Sequence, residues 1–312
     1  MKKVLVIGAN GFVGPYLCNN LIEHGYDVFG TKLITEETHF NGKCFDIDIL
    51  NKDNIEQVIN RINPDYIVHL AALSSVKLSW DKPDLTFQIN VIGIINIFEV
   101  LRKLNLRPRI LLVGSSEEYG EIKKPIVNET YNVNPLNFYA LSKVTQEKIG
   151  KIYKDNYGFD VVFARSFNHI GPGQSTQFVV SDFANQIAQI EKDNTLNEIH
   201  VGNIKAKRDF SDVRDIVNAY RLLLEKGKNG EIYNVGSGKC ISIEEILNYL
   251  ISFSNKKINI VIDENKFRPI DTPEIKADIS KLVKDTGYSN QFDIKQTLFN
   301  VLEYFRNKNY EK

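Results

Sequence analysis

The stretch "IGANGFVG" constrains the fold most strongly, because of where its three glycines stand. Gly8, Gly11 and Gly14 form a G-x-x-G-x-x-G pattern directly after the apolar run "KVLVI" and directly before the helix-like segment "PYLCNNLIEHG". Glycine lets the backbone turn sharply and approach a diphosphate, which then lies at the N-terminus of the following helix. Pro15 suits the first turn of that helix, since its missing N–H would be unpaired there. The pattern predicts a dinucleotide-binding turn after the first strand.

Short apolar runs alternate with longer, helix-like segments over the first two thirds of the chain. Many of the runs are nearly continuous in Val, Ile, Leu and Phe, as in parallel strands that are covered on both faces. Strands that alternate with helices form βαβ units, so the pattern predicts an α/β fold with a doubly wound parallel (Rossmann) sheet. The predicted strands are 3–7, 27–31, 44–48, 66–72, 109–116, 160–167 and 231–237, and the longest predicted helices are 84–104 and 139–158.

The texture changes after Phe167, where the Gly- and Pro-rich loop "NHIGPGQSTQF" begins. A predicted helix at 178–192 follows, and a helix and strand at 213–237 return to the sheet pattern. The remainder is helical around a second Pro-rich loop, "FRPIDTPE". We therefore expect a dinucleotide-binding Rossmann domain and a smaller, mixed α/β substrate-binding lobe, with residues 1–167 and 213–238 in the former and 168–212 and 239–312 in the latter.

Composition excludes several other kinds of function. The 39 basic and 39 acidic residues cancel, which argues against a nucleic-acid or membrane-surface partner. Cys18, Cys44 and Cys240 lie far apart, so we expect neither a disulfide framework nor a metal site. Glycine interrupts the first apolar run too early for a signal peptide, and no apolar stretch approaches the roughly 20 residues of a membrane span. A cytoplasmic location is the expectation.

The end of the second strand indicates which cofactor binds. NAD-binding proteins usually carry an acid there for the ribose 2′-OH. Here the strand ends in Thr31 and Lys32, and a hydroxyl and a cation suit the 2′-phosphate of NADP, although a solvated surface lysine would give the same pattern. Asp48 and Ile49, at the end of the third strand, would border the adenine or simply cap the strand.

Four residues indicate the chemistry. Tyr139 and Lys143 stand four residues apart, on one face of a helix. A nearby ammonium and an oxidised nicotinamide both favour the phenolate and lower the ordinary tyrosine pKa of about 10, which suits acid–base catalysis. Ser115 ends the strand before this helix, within "SSEEYG", and could hold a sugar hydroxyl or carbonyl. Glu117, two residues later, could remove a proton from carbon, whereas Glu118 has no evident role.

The motifs "GANGFVG", "HLAA", "SSEEYG", "YALSK" and "FNHIGPGQ" occur in the order typical of the extended short-chain dehydrogenases/reductases. Over essentially its whole length the chain resembles the nucleotide-sugar branch of this NAD(P)-dependent epimerase/dehydratase family. The resemblance implies a catalytic triad of Ser115, Tyr139 and Lys143, with Glu117 beside it, and a supporting role for Asn90, which would otherwise be an ordinary buried polar residue. The implied NADP(H) contacts are Gly8, Asn10, Gly11, Phe12, Val13, Gly14, Thr31, Lys32, Asp48, Ile49, Leu70, Ala71, Ala72, Asn90, Tyr139 and Lys143.

The second lobe narrows the resemblance. Arg208 in "RDFSDVRD" and Arg268 in "FRPIDTPE" could fork a nucleotide diphosphate, although either alone would suit a surface salt bridge. Together these motifs resemble the reductases that convert a GDP-linked 4-keto-6-deoxy sugar into GDP-D-rhamnose, a route to cell-surface polysaccharide. The family tends to form homodimers through two helices, here 84–104 and 139–158, although their apolar residues also fit core packing. The expected substrate-binding residues are Ser75, Ser115, Ser116, Asn168, Phe178, Val179, Arg208, Arg268 and Asp271.

A dehydratase is the main alternative. The related GDP-mannose 4,6-dehydratases carry Thr-Ser-Glu at this strand end, where the glutamate removes the C5 proton, and Glu117 matches that base. The dehydratase patterns differ, however, at "NHIGPGQ" and "RDFSDVRDIV", and their loop arginine is replaced here by Gly173 or Gln174. These departures favour the reductase. A dehydratase or epimerase that recycles its NADP stays open, as does a non-catalytic NADP-sensing module.

Overall fold

The computed structural model describes residues 1–122, 124–193, 195–267 and 272–310. The strands are β1 (Lys3–Ile7), β2 (Asp27–Lys32), β3 (Lys43–Asp46), β4 (Tyr66–His69), β5 (Arg109–Ser115), β6 (Ile126–Val127), β7 (Asp160–Ser166), β8 (Asn168–Ile170), β9 (Glu198–Val201), β10 (Lys207–Asp212), β11 (Ile232–Val235), β12 (Cys240–Ser242), β13 (Asn259–Ile262) and β14 (Glu274–Ala277). The α-helices are α1 (Val13–Glu23), α2 (Lys52–Ile62), α3 (Val76–Asp81), α4 (Pro83–Phe87), α5 (Gly93–Lys103), α6 (Phe138–Tyr157), α7 (Val179–Lys192), α8 (Val213–Lys226), α9 (Ile243–Ser252), α10 (Ser280–Thr286) and α11 (Ile294–Tyr310).

A seven-stranded sheet in the order β11-β7-β5-β4-β1-β2-β3 forms the centre of the molecule. Each neighbouring pair in it is parallel. The strand order reverses between β1 and β4, and ligands of such sheets bind outside the carboxyl ends of the strands at that point. The predicted doubly wound Rossmann sheet is confirmed, and it places the end of β1 beside the end of β4, with the end of β5 one strand further along.

Helices cover both faces of this sheet, which explains why its strands are apolar on both sides. On one face, Leu17 of α1 and Leu223 of α8 pack against the strands. On the other face, Ile59 of α2, Phe98 of α5 and Tyr153 of α6 form a second core. Each such side chain stabilises the fold by roughly 1.5–3 kcal/mol when it is fully buried.

The predicted helix at 84–104 is interrupted. After α4 the backbone forms a π-helical turn over Gln88–Ile92, and α5 continues from it. Such turns are rare and occur often at functional sites. By length and composition alone, the whole segment Pro83–Lys103 is apolar enough to cross a membrane, which the sequence did not lead us to expect. Its most apolar window is 56% buried, and the apolar side chains of α5 pack against the sheet.

A second layer of structure lies beyond the carboxyl edge of the sheet. Its strands follow the order β12-β10-β14-β6, with β8 beside β10, and its core is formed by α7, α9 and α11. Buried Asp209 on β10 accepts hydrogen bonds from the backbone N–H groups of Ser237, Gly238 and Ala277, which fixes the loop after β11 against this sheet. Strand β6 comes from the first predicted segment, 1–167, so the two layers share chain at that point.

Candidate active site

The glycine-rich turn after β1 is shaped to admit a diphosphate. Helix α1 begins at Val13, and no side chain caps its N-terminus, so its first N–H groups have no partner from the helix itself. A Cβ at Gly14 would lie 2.0 Å from the carbonyl oxygen of Ala9, so only glycine lets the helix pack this closely. A Cβ at Gly11 would meet only the oxygen of Gly8, at 3.5 Å, so the turn is open on that side. These residues fit a dinucleotide cofactor.

Two neighbouring strand ends stabilise the turn. The Thr31 hydroxyl accepts a hydrogen bond from the Gly8 N–H at 3.0 Å, and Thr31 is buried. Its hydroxyl thus supports the turn from inside, whereas the sequence suggested a contact with the 2′-phosphate. The N–H groups of Leu70 and Ala71 both donate to the Ile7 oxygen, at 2.9 and 3.0 Å, which places "LAA" directly beside the turn.

Charged groups meet at the end of β2. Lys32 Nζ lies 2.7 Å from Asp46 Oδ1, and this hydrogen bond raises the lysine pKa. Glu36 Oε2 accepts hydrogen bonds from the Asn10 amide at 3.1 Å and from the Leu33 N–H at 3.2 Å. The sequence places no acid at the strand end itself, and Glu36 was missed because the following loop folds back to bring it there.

The two residues predicted to border the adenine lie just after β3. Asp48 is exposed, and its Oδ1 accepts a hydrogen bond from the Leu50 N–H at 2.9 Å. This contact is the capping role considered as the alternative. Ile49 is buried, and it packs so closely on α5 that a Cβ at Gly93 would lie 2.6 Å from it. Their contact with adenine stays a prediction.

The predicted triad comes together at the carboxyl end of β5. Ser115 ends that strand, Tyr139 lies in the first turn of α6, and their side chains are near enough for Ser115 to influence the pKa of the Tyr139 phenol. Burial raises the pKa of the Tyr139 phenol above its ordinary value, and the nearby Ser115 hydroxyl offsets only part of that shift. The Ser115 hydroxyl also accepts the Glu117 N–H at 3.2 Å. A phenol that meets a hydroxyl in a buried place is suited to donating a proton to a bound oxygen.

Lys143 completes the set one turn along α6. Its Nζ donates to the Val113 carbonyl at 2.8 Å and to Gln146 Oε1 at 3.2 Å. An ammonium carries three N–H bonds, so within the described residues one donor stays available for a ligand such as a ribose. Burial lowers the pKa of Lys143 to about 8, and Glu118 opposes that shift. No sequence pattern pointed to Gln146 in this role.

Asn137 joins the candidate base to the catalytic helix. It caps α6 by accepting the Ala140 N–H at 2.8 Å, and its amide donates to Glu117 Oε2 at 3.3 Å. An asparagine directly before a helix is a recognisable N-cap signal, but its second bond depends on the fold. Glu117 is partly exposed, whereas the predicted substrate residue Ser116 is buried.

Asn90, at the centre of the π-turn, connects two parts of the site. Its side chain accepts the Leu73 N–H at 2.8 Å and donates to the Leu73 oxygen at 3.2 Å. It also donates to the Ser142 hydroxyl at 2.9 Å, and that hydroxyl donates to the backbone carbonyl oxygen of Tyr139 at 2.7 Å. Asn90 therefore ties the loop after β4 to the helix that carries Tyr139.

The loop "NHIGPGQ" packs on the glycine-rich turn. The His169 ring stacks on Phe12, with centroids 6.1 Å apart and planes 5° from parallel. The Tyr16 hydroxyl donates to the Pro172 oxygen at 2.7 Å. Burial lowers the pKa of His169, which keeps its ring neutral. This packing fixes the second layer next to the glycine-rich turn.

The remaining predicted substrate residues come from several elements. Asn168 is exposed on β8 and pairs with β10, where Arg208 stands two residues before its pairing partner. Phe178 and Val179 lie at the start of α7, with 38% and 36% of their surface exposed. Ser75 caps α3 by accepting the Leu78 N–H at 3.2 Å. The predicted residues Arg268 and Asp271 lie outside the described residues.

The turn, the sheet and the Ser115–Tyr139–Lys143 set define an α/β protein of the extended short-chain dehydrogenase/reductase class. More narrowly, the chain belongs to the GDP-mannose 4,6 dehydratase family, whose model matches residues 5–300. The predicted family is thereby confirmed. Members of this family are NAD(P)-dependent enzymes that act on nucleotide sugars.

Individual relatives cover nearly the whole chain. It is 32% identical to a GDP-6-deoxy-D-mannose reductase of Pseudomonas aeruginosa, over 96% of each chain. It is 31% identical to a GDP-6-deoxy-D-talose 4-dehydrogenase of Aggregatibacter actinomycetemcomitans, over 93% of each. A solved structure of RMD from Pseudomonas aeruginosa complexed with NADPH superimposes with a TM-score of 0.88 at 30% identity, covering 99% of this chain and 100% of that one.

Proposed function

We propose that this chain is a reductase that converts the C4 ketone of GDP-4-keto-6-deoxy-D-mannose into an alcohol with NADPH, giving GDP-D-rhamnose. The observation that carries the proposal is the placement of Ser115 at the end of β5 beside Tyr139 in the first turn of α6, with Lys143 one turn further along the same helix. The end-to-end similarity to a GDP-6-deoxy-D-mannose reductase supports the substrate. The NADPH complex of RMD supports the choice of NADP over NAD.

Each side chain of the set has a distinct task. When bound, the nicotinamide supplies the hydride that goes to C4. Tyr139 donates its proton to the ketone oxygen, and the Ser115 hydroxyl donates a hydrogen bond to the same oxygen. Donors that stand ready where negative charge develops lower the barrier most effectively. The Lys143 ammonium stabilises the phenolate that Tyr139 becomes, and Glu117, held by Asn137, orients a hydroxyl of the sugar.

The second layer would hold the nucleotide end of the substrate. Arg208 carries a planar fork of donors that suits a diphosphate, and exposed Asn168 lies on the neighbouring strand. Phe178 and Val179 offer apolar surface at the start of α7. The proposed roles of Arg268 and Asp271 at the diphosphate concern residues outside the described part of the chain.

The direct test is to incubate the purified protein with NADPH and GDP-4-keto-6-deoxymannose. We expect NADPH to be consumed in proportion to product, and NMR of the product to show the rhamnose configuration at C4. A 6-deoxytalose product would still show reduction of the C4 ketone, but with the hydride delivered to the opposite face of the sugar. Absence of NADPH consumption on this substrate would overturn the proposal.

Tyr139→Phe tests the role of the phenol. Removing a general acid typically costs about 10²–10⁴-fold in turnover, and the variant should still bind NADPH, because its ring and backbone are retained. Fluorescence of bound NADPH serves as the control for binding. A near-normal rate in Tyr139→Phe would remove this residue from the mechanism.

Dehydration of GDP-mannose is the second candidate, and the position of Glu117 at the strand end favours it. That reaction would release a 4-keto sugar from GDP-mannose without net change in NADPH. Glu117→Gln separates the two functions: a dehydratase would lose its base and at least about 10²-fold in rate, whereas the reductase would retain most of its turnover.

A further inference from the structure

A group of buried charges adjoins Lys143, and the proposed mechanism does not use it. Glu118 is fully buried, and Arg165 and Glu147 are nearly so. The Arg165 guanidinium donates two hydrogen bonds to the Glu147 carboxylate, at 2.9 and 3.1 Å. Glu118 is held differently, because its Oε1 accepts the Ser115 N–H at 2.8 Å while its Oε2 stays 3.6 Å from Arg165 Nε. Glu118 thus touches the catalytic serine on one side and faces the charges on the other.

The strand is built to seat this carboxylate. A Cβ at position 114 would lie 2.3 Å from Glu118 Oε1, so Gly114 leaves the space that the carboxylate fills. Ser115 and Glu118 also form a capping box, in which each side chain bonds the backbone N–H of the other. Two independent features therefore fix Glu118 in the interior, at the end of β5.

A small cavity separates Glu118 from Lys143. It is lined by Glu118, Lys143, Gln146, Glu147 and Gly114, among others, and its volume is about 10 Å³. A cavity of roughly this volume can hold one water molecule. Among the described residues, Glu118 Oε2 is a buried oxygen without a hydrogen-bond partner, and such atoms nearly always have one in folded proteins. The cavity therefore suits a water that bridges the carboxylate to its neighbours.

Two buried carboxylates, Glu118 and Glu147, line this cavity together with Lys143, and cations hold them unequally. Glu147 is already paired with Arg165 and, at 2.9 Å, with Lys151. The two described hydrogen bonds of Lys143 go to neutral oxygens. Glu118 makes one longer ion pair, to Arg165 at 3.6 Å and without a hydrogen bond, so its charge also acts on Lys143 across the cavity.

Three other titratable side chains near Lys143, namely His69, Tyr139 and Tyr119, are neutral and supply no negative charge to balance its ammonium. His69 faces Lys143 from β4, and burial, followed by Lys143, lowers its pKa to about 3, so its ring is neutral. Tyr139 and Tyr119 are buried phenols whose pKa values burial raises, so both are neutral as well. Glu117, which also faces Tyr139, is partly exposed.

We propose that Glu118 is a positioning residue, whose buried carboxylate keeps Lys143 protonated and holds the backbone of Ser115 in place. Its effect on catalysis rests on the proposed function, but its effect on the charge of Lys143 does not. Burial raises the pKa of Glu118 to about 7, so the carboxylate is charged above that pH. The ammonium of Lys143 exists below its own pKa, which burial lowers to about 8 and Glu118 raises. Glu118 therefore acts on Lys143 in neutral and mildly alkaline solution.

The charge of Lys143 can be measured without any substrate. NMR titration of the protein with carbon-13-labelled lysine, its Lys143 signal assigned through Lys143→Met, should show a pKa below that of the surface lysines and a charged group at neutral pH. In Glu118→Gln, which keeps the size and the acceptor for Ser115, the pKa of Lys143 should fall by roughly one unit or more. An unchanged Lys143 pKa would overturn the proposal, as would a neutral Lys143 in the wild type at neutral pH, which decides the matter even if the variant fails to fold.

Glu245→Gln is the matched control. Glu245 forms the same capping box with Ser242, at 3.0 Å to its N–H, but it is exposed on α9 in the other layer. Its substitution should leave the Lys143 titration unchanged. A shift of equal size in both variants would show a general effect of charge removal and would count against Glu118.

Kinetics give the second readout. With NADPH and the keto sugar, the turnover of Glu118→Gln should match the wild type near about pH 6 and fall roughly tenfold below it near about pH 8.5, since Lys143 loses its proton earlier. The KM for the sugar should not change. An equal loss at every pH would indicate a merely structural role and overturn the proposal. An inactive wild type would contradict the proposed function, whereas the NMR titration would still decide the role of Glu118.

Discussion

Replacing Asn90 with alanine should loosen the connection between the cofactor edge of the sheet and α6. Alanine would leave the N–H and the oxygen of Leu73 without their partners, both in a partly buried place. The Ser142 hydroxyl would lose the hydrogen bond that it accepts from Asn90 but would still donate to the backbone carbonyl of Tyr139. An unsatisfied buried polar group costs about 1–3 kcal/mol. Two half-buried groups then give a loss of about 2–4 kcal/mol in the free energy of unfolding.

Urea unfolding measures this loss as a lower midpoint with an unchanged slope. Asn96→Ala is a suitable comparison, because Asn96 is also buried in this segment but its side chain makes one described bond, to the Ile49 oxygen at 3.0 Å. It should cost less than Asn90→Ala. The loop that Asn90 holds continues from the segment beside the glycine-rich turn, so NADPH binding should weaken as well. A loss below about 1 kcal/mol in Asn90→Ala would refute the reasoning, since the Leu73 groups would then have found other partners.

Three further changes test other parts of the structure. Arg165→Leu should lower the free energy of unfolding by about 3–5 kcal/mol, because buried Glu118 loses its ion pair and buried Glu147 loses two hydrogen bonds to a cation; a urea midpoint equal to that of the wild type would contradict this. Gly14→Ala should abolish NADPH binding measured by fluorescence, because its Cβ would meet the Ala9 oxygen at 2.0 Å. Glu36→Gln should raise the preference for NADPH over NADH by roughly fivefold, because it removes a negative charge near the expected 2′-phosphate; an unchanged ratio of KM values would argue against this placement.

The sheet could be predicted because the features that define it are local in the sequence. Continuous apolar runs, helix-length spacers and the glycines after β1 each reflect a repeat or a turn of the backbone itself. The interruption of the helix at 84–104 is different, since it accompanies Asn90, whose side chain bonds Leu73 seventeen residues away. A sequence read in windows does not contain that contact.

The same distinction holds in the candidate site. The tyrosine and lysine of α6 are four residues apart, so one helical face brings them together whatever the rest of the fold does. Glu36 and Gln146 could not be assigned from the pattern, because their contacts depend on how a loop folds back and how α6 lies on β5. Thr31 is at the predicted place, but strand alternation turns its hydroxyl inward, toward the Gly8 N–H.

The turn at 115–119 separates two adjacent carboxylates into unlike environments. Glu118 has a pKa raised by burial, which is the property expected of a carboxylate that removes a proton at neutral pH. It is nevertheless sealed from solvent, so it cannot approach a sugar carbon. Glu117 is the one that reaches the open side, and Asn137 holds its carboxylate by a hydrogen bond to the cap of α6. Of the two carboxylates, Glu117 is therefore the one placed to meet a sugar, where it would orient a hydroxyl in the proposed reduction or act as the base of a dehydration, and Glu117→Gln distinguishes the two.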